Sequence, residues 1–462
     1  MALIKSISGI RGTIGGVPDE NLTPIDAVKF AAAYGFWLKN HVHKTRIKVV
    51  VGRDARLSGE MVQNLVQYTL IGLGIDVVDL GLSTTPTVEV AVTMEQADGG
   101  IILTASHNPK QWNALKLLNN QGEFLNAQEG EEILRIAADN SAVFAEVDAL
   151  GTLSHNDTYI QRHIDAALSL LPLATIEAIR QRHFRVVVDA VNSTGGIAIP
   201  QLLERLGAEV VPLYCEPNGH FPHNPEPLKE HLGDICAEVV AKEADFGIVV
   251  DPDVDRLAFI TEKGEMFGEE YTLVACADYI LSKNKGNVVS NLSSSRALRD
   301  IAQKHGVQYA ASAVGEVNVV AKMKEVNAII GGEGNGGIIF PELHYGRDAL
   351  VGVALFLSLL TDKNITVSAL RKSYPAYYMS KNKIELSAGL NPDKVLAAVK
   401  ERYAHEPITT IDGVKIDFAN SWVHLRKSNT EPIIRIYTEA KSQVEADALA
   451  QRFLEEMKEL AN

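Results

Sequence analysis

Phe246-Gly-Ile-Val-Val-Asp-Pro-Asp-Val-Asp-Arg256 runs from an unbroken apolar stretch straight into three carboxylates at alternate positions. A short apolar run ended by turn formers reads as a buried strand. Residues 247–250 are therefore a strand, and 251–256 form the loop at its carboxyl end. The same design occurs twice more, in 101–108, which ends Thr104-Ala-Ser-His-Asn108, and in 328–337, which ends Gly331-Gly-Glu-Gly-Asn-Gly-Gly337. Loops at the carboxyl ends of strands build the site in open α/β sheets. Three such loops predict three related α/β domains converging on one cleft.

Outward from these loops, apolar β-branched runs alternate with helical patterns. Strands are predicted at 47–51, 76–80, 100–103, 185–189, 209–213, 247–250, 257–261, 287–291 and 328–331. Helices are predicted at 62–72, 158–171, 200–206, 269–283 and 295–305. This is the βαβα pattern of parallel or mixed sheets. The tail differs, with a helix at 392–403, strands at 413–418, 422–427 and 433–439, and a last helix at 442–460. It reads as a smaller α+β domain. The expected domains are 1–152, 153–255, 256–372 and 373–462.

The chain has 462 residues, 46% hydrophobic and 22% charged, a globular balance large enough for several cores. A net charge of −14 argues against nucleic acid as a partner. Cys215, Cys236 and Cys276 have neither metal spacing nor an even disulfide framework. With no secretory pattern in Met1-Ala-Leu-Ile-Lys-Ser6 and no long apolar span, the expectation is a cytoplasmic protein without membrane partners.

Each loop carries its own chemistry. Ser106 ends a buried run and precedes His107, Asn108 and the strand-breaking Pro109, so it reads either as a turn serine or as a covalent relay. Asp251, Asp253 and Asp255 offer three hard oxygen ligands, suited to Mg²⁺ or Ca²⁺. An EF-hand is excluded because Arg256 stands where the turn glycine is needed and the flanks are strands. Gly332, Gly334 and Gly337 spell G-x-G-x-x-G, but Ile338-Ile-Phe-Pro341 follows in place of the helix a dinucleotide site requires. Glu333 and Asn335 there suit sugar hydroxyls. Arg426-Lys-Ser-Asn-Thr-Glu-Pro432 gathers a guanidinium, hydroxyls and an amide into an anion cradle, in a chain with no P-loop motif. His220 and His223 lie in a proline-rich stretch that reads as an ordered loop, and Trp112 and Trp422 as packing residues.

Serine, metal carboxylates, hydroxyl-reading loop and phosphate cradle, in that order, resemble the α-D-phosphohexomutases over the whole chain. The resemblance implies four domains around a central cleft. It matches Ser106 to a phosphoserine, and Asp251, Asp253 and Asp255 to the ligands of one Mg²⁺, completed by a phosphoserine oxygen. Arg11, in Ser8-Gly-Ile-Arg-Gly12, and Lys116, in Asn113-Ala-Leu-Lys116, match an active-site arginine and a proton-transfer lysine. The catalytic set so implied is Ser106, His107, Lys116, Arg11 and Arg256. Glu333 and Asn335 match the sugar loop; Arg426, Ser428, Asn429 and Thr430 match the grip on the phosphate not being transferred. The implied reaction moves a phosphoryl group between the 6- and 1-positions of a hexose through a sugar bisphosphate, which also primes Ser106. The protein partner expectation is a monomer or homodimer.

Departures narrow the sugar. Phosphomannomutase/phosphoglucomutase members carry a Lys and a Gly-His pair where this chain has Ser293 and Glu316. An acid after Val-Gly looks more like the phosphoglucosamine branch, and an acid favours an ammonium group. Glucosamine 6-phosphate is therefore the expected substrate, with mannose or glucose phosphate as the alternative. The sugar loop ends in Gly337 where a His is usual, so the proton falls to Lys116 or to His344, in Leu343-His-Tyr-Gly-Arg-Asp348. A metal-dependent sugar phosphatase and a silent sugar-phosphate-binding protein use the same residues and stay open.

Overall fold

The computed structural model describes residues 3–6, 9–385, 391–427 and 433–461. The chain forms two compact units, one of residues 1–279 with 335–370 and one of 280–334 with 371–462.

The first unit holds a mixed seven-stranded sheet in the order Leu3–Ser6, Gly9–Thr13, Trp112–Leu118, Gly99–Leu103, Ile47–Arg53, Ile75–Leu82, Leu153–His155. Ile47–Arg53 pairs in parallel with both neighbours, while Gly99–Leu103 pairs antiparallel with Trp112–Leu118. Alternation sorts the central strand between two cores. Val49 and Val51 face the helices Pro24–His41 and Gly59–Gly72; Val50 faces the helix Thr85–Met94. Helices on both faces explain why the strand reads as continuously apolar. A second sheet orders Leu257–Thr261, Phe246–Val250, Arg185–Asp189 and Glu209–Leu213. Its Val187, Val249 and Ile260 pack on the helix Gly233–Ala241.

The second unit contains the parallel strands Tyr309–Ser312, Asn287–Asn291 and Ala328–Glu333, in that order. It also holds a five-stranded antiparallel sheet: Tyr378–Glu385, Ile433–Ala440, Trp422–Lys427, Val414–Asp417, Ile408–Thr409. The helices Pro392–Arg402 and Gln443–Ala461 cover one face through Val399, Phe453 and Met457. Among the described residues no helix is long and apolar enough to cross a membrane.

Candidate active site

Ser106 follows the strand Gly99–Leu103 and has φ of +49°. The left-handed region costs a residue with a Cβ about 1–2 kcal/mol, so the surroundings must impose it. Thr104 Oγ1 accepts the Ser106 N–H at 3.0 Å. Arg56, 1% exposed, donates to the carbonyls of Ser106 (2.5 Å), Asn108 (2.7 Å), Pro109 (2.8 Å) and Trp112 (2.9 Å). Asp54 Oδ2 orients that guanidinium at 3.0 Å and accepts the Thr104 hydroxyl at 2.7 Å. One planar fork thus sets the backbone on both sides of the serine.

The acidic loop is held as firmly. Val254 sits at φ of +65°, a strained value for a β-branched residue. Ser193 Oγ and Thr194 Oγ1 donate to the Pro252 carbonyl at 2.6 and 3.0 Å. Asp251 Oδ1 accepts the N–H groups of Asp255 and Arg256 at 3.2 and 3.1 Å, and its Oδ2 accepts the Ser106 hydroxyl at 2.8 Å. Asp253 Oδ2 receives Thr85 Oγ1 at 2.5 Å and Lys116 Nζ at 2.7 Å. Asp255 Oδ2 receives Arg347 Nη2 at 2.7 Å and has Lys116 Nζ at 3.6 Å.

These carboxylates are buried, and each offers an oxygen within 4.8 Å of the others. Burial, then the charges of Asp255 and Asp253, push Asp251 well above the usual carboxylate range. Asp253 goes the other way: against burial, the Lys116 charge and its hydrogen bonds hold it below that range. Burial lowers Lys116, but Asp253 and Asp255 outweigh it and the ammonium is favoured. Among the described residues, Asp253 Oδ1 and Asp255 Oδ1 are buried without a hydrogen bond. Such oxygens are costly unless a cation uses their lone pairs, and three carboxylates suit a hard divalent ion. The residues present therefore fit Mg²⁺.

Cationic side chains lie around them. Arg11 Nη1 donates to Asn108 Oδ1 at 3.1 Å, and Arg256 Nη1 to Glu226 Oε1 at 3.2 Å. His107 Nδ1 is 3.5 Å from Ser106 Oγ. Burial, then Arg256, Arg11 and Arg347, depress His107 well below its ordinary value. Burial, then Arg256, also lowers Arg11. A phosphate dianion would relieve this crowding of guanidinium groups.

His344 is engaged by two carboxylates. Its Nε2 is 3.3 Å from Asp348 Oδ2 and its Nδ1 is 3.2 Å from Glu89 Oε2. Asn335 Oδ1 turns back to accept the Gly337 N–H at 3.2 Å.

Within the second unit, Glu333 Oε1 accepts Asn291 Nδ2 at 2.8 Å and the Gly315 N–H at 3.1 Å. Arg426 Nε lies 3.3 Å from Asp412 Oδ1 and 3.2 Å from Oδ2. Asp412 Oδ2 also accepts the Val314 N–H at 3.0 Å, so one carboxylate joins the Arg426 strand to the Val314-Gly315 loop. Ser293 Oγ meets His424 Nδ1 at 2.9 Å, and Glu316 is buried at a helix start. Ser428, Asn429 and Thr430 lie outside the described residues.

Five supporting residues were not foreseen from the sequence: Asp54, Arg56, Thr85, Glu226 and Arg347. One signal was present. Gly-Arg-Asp occurs twice, as Gly52-Arg-Asp54 and Gly346-Arg-Asp348. Both copies bring an ion pair to a candidate loop, through Asp54 to Arg56 and through Arg347 to Asp255.

Residues 4–143, 161–264 and 268–378 match phosphoglucomutase/phosphomannomutase alpha/beta/alpha domains I, II and III, and 385–456 match the C-terminal domain. A phosphoglucomutase/phosphomannomutase of Thermococcus kodakarensis is 37% identical, covering 94% of this chain and 95% of its own. A phosphoglucosamine/phosphogalactosamine mutase of Sulfurisphaera tokodaii is 31% identical, covering 97% and 98%. A phosphoglucomutase/phosphomannomutase family crystal structure from Burkholderia thailandensis superposes with a TM-score of 0.85 at 25% identity, covering 98% and 97%. With all four domain models matched in order along one chain, and relatives alike over nearly their full length, this chain belongs to the phosphoglucomutase/phosphomannomutase family.

Proposed function

We propose that this chain is a hexose-phosphate mutase that interconverts glucosamine 6-phosphate and glucosamine 1-phosphate, with Ser106 as the phosphoryl carrier. The observation that carries the reading is the 2.8 Å hydrogen bond from Ser106 Oγ to Asp251, inside a triad of buried carboxylates. Asp251, Asp253 and Asp255 would hold Mg²⁺, which when bound supplies charge neutralisation for the transferring phosphoryl group.

The chain's own residues do the rest. Arg56 fixes the serine backbone so that Oγ is aimed before substrate arrives. Phosphorylated Ser106 donates to the free sugar hydroxyl, giving a bisphosphate; the bisphosphate turns over, and its other phosphate recharges Ser106. Arg11 and Arg256 meet phosphate oxygens. Lys116 is favoured over His344 for proton transfer at the serine: its ammonium, held on the acidic loop, gives a proton to Ser106 Oγ as the phosphoryl group leaves and regains it when the serine is recharged, while both ring nitrogens of His344 face carboxylates. Glu333 and Asn335 read sugar hydroxyls, and Arg426 with Ser428, Asn429 and Thr430 grips the distal phosphate. Three free cysteines accord with a reducing cytoplasm.

The glucosamine assignment rests on Glu316 and on relatives named for that sugar. The test is the rate on glucosamine, glucose and mannose phosphates with a sugar bisphosphate primer. The expected kcat/KM for glucosamine phosphate exceeds the others by about tenfold or more. Equal or higher rates on glucose or mannose phosphate would move the assignment to phosphoglucomutase/phosphomannomutase, and inorganic phosphate released without isomerisation would make it a phosphatase.

A further inference from the structure

A second group of buried ligating side chains lies in the first unit, apart from the acidic triad: His163, His344 and Asp348. His163 comes from the helix Tyr159–Ser169, and Asp348 caps the helix Ala349–Lys363. His163 Nε2 is 2.9 Å from Asp348 Oδ2, and His344 Nε2 is 3.3 Å from the same oxygen. Three ligand atoms thus face one point. Ligands on a tetrahedral zinc ion sit about 3.3 Å from one another, as follows from bond lengths of about 2.0–2.2 Å.

The far side of each ring is also arranged. His163 Nδ1 is 3.0 Å from Thr87 Oγ1, and His344 Nδ1 is 3.2 Å from Glu89 Oε2. Both partners stand on the helix Thr85–Met94. The Thr87 hydroxyl can accept from His163 Nδ1, leaving Nε2 to ligate, and Glu89 sets a carboxylate within ion-pair distance of His344 Nδ1, a habitual outer arrangement of metal-bound histidines. The carboxylate is fixed too, since Asp348 Oδ1 accepts the N–H groups of Leu350 (2.8 Å) and Val351 (3.3 Å). Gly346 makes room for Glu89: a Cβ there would stand 1.8 Å from Glu89 Oε2.

We propose that His163 Nε2, His344 Nε2 and Asp348 Oδ2 form a second metal site, selective for a zinc-class transition ion over Mg²⁺. Two imidazoles and one carboxylate prefer such an ion. The site is structural. It pins the helix Tyr159–Ser169 to the loop whose Arg347 grips Asp255, and its outer partners Thr87 and Glu89 stand on the helix whose Thr85 grips Asp253. The competing occupant of the same space is protons, with His344 as an imidazolium between two carboxylates.

Metal content separates the two. The full chain is loaded with Zn²⁺, dialysed against Mg²⁺ buffer and analysed for zinc. One zinc per chain is expected, retained in an Asp251→Asn/Asp255→Asn double variant and lost in His163→Gln, with circular dichroism reporting the fold. Independently, Co²⁺ added to the unmutated chain should give the intense visible absorption of a tetrahedral site and lose it to one equivalent of Zn²⁺. No retained zinc and no such spectrum would overturn the proposal and leave protons as the occupant. Zinc lost from the double variant but kept in His163→Gln would equally overturn it, placing the ion at the triad. If His163→Gln does not fold, the Co²⁺ titration of the unmutated chain decides.

Discussion

Arg56 Nη2 donates to the main-chain carbonyl of Ser106 at 2.5 Å from a guanidinium sealed from solvent. A lysine there has no fork to reach four carbonyls at once. Arg56→Lys is expected to lower kcat by about 100-fold, because a small displacement of an aimed nucleophile is costly. It should also destabilise the chain by about 2–4 kcal/mol, since buried acceptors and Asp54 lose their partner. Steady-state kinetics and urea unfolding check the two together; an unchanged kcat would show that the loop holds itself.

Ser106→Ala removes the proposed carrier without touching the groups that bind substrate. Turnover is expected to fall by at least about 1,000-fold while sugar-phosphate affinity by calorimetry changes little. The intact mass of the unmutated chain incubated with sugar bisphosphate should gain one phosphoryl group, and the variant should gain none. Activity near the original level would remove Ser106 from the reaction.

Asp253→Asn loses the charge that pairs with Lys116 at 2.7 Å and one ligand of the proposed ion. The Mg²⁺ concentration for half-maximal activity should rise by about tenfold or more. Arg347→Lys, acting through Asp255 at 2.7 Å, should give a smaller rise in the same titration. Identical Mg²⁺ curves for both variants and the original chain would exclude the triad as the site.

Lys415 in the second unit is buried, donates to the Leu292 carbonyl at 2.8 Å and lies 4.2 Å from the Trp422 ring centre. Burial, only partly offset by Asp417 and Glu439, depresses it to about 8 from the ordinary lysine value of 10.5. Between those two values the unfolded chain binds the proton and the folded chain does not, so stability rises with pH across that window. The expected gain is on the order of 2–3 kcal/mol relative to Lys415→Met. Urea midpoints of the two proteins from pH 7 to 10.5 measure it, and parallel curves would refute it.

Elements that bury a continuous apolar run were legible from pattern alone. Arg185–Asp189, Asn287–Asn291 and the helix Glu269–Lys283 have the bounds that periodicity predicts. Trp112–Leu118 was not legible as a strand, because Asn113 and Lys116 interrupt its pattern yet are buried for what they bond. The helix predicted at 200–206 starts at Gly195. Its paired glycines answer to close approach: a Cβ on Gly195 would meet Val250 Cγ2 at 2.4 Å, and one on Gly196 the Cys215 carbonyl at 2.0 Å. Among the site residues, Ser106 and the aspartates stood out because one loop collects each set. Thr85, Arg56 and Arg347 act across the fold, and no local spacing reports that. Two quieter readings stand beside them. Trp422 is fully buried with Nε1 on Glu439 at 2.7 Å, and His223 pairs with Asp189 at 3.0 Å in its loop.

Asp54 spends its carboxylate on Arg56 and Thr104, not on the serine side chain, and so steers the guanidinium that shapes Ser106. A natural variant at Asp54, some fifty residues upstream, would pass for a remote folding defect in any survey that scores distance along the chain. In the folded chain it strikes the serine's own backbone, and such variants belong with active-site lesions when they are classified.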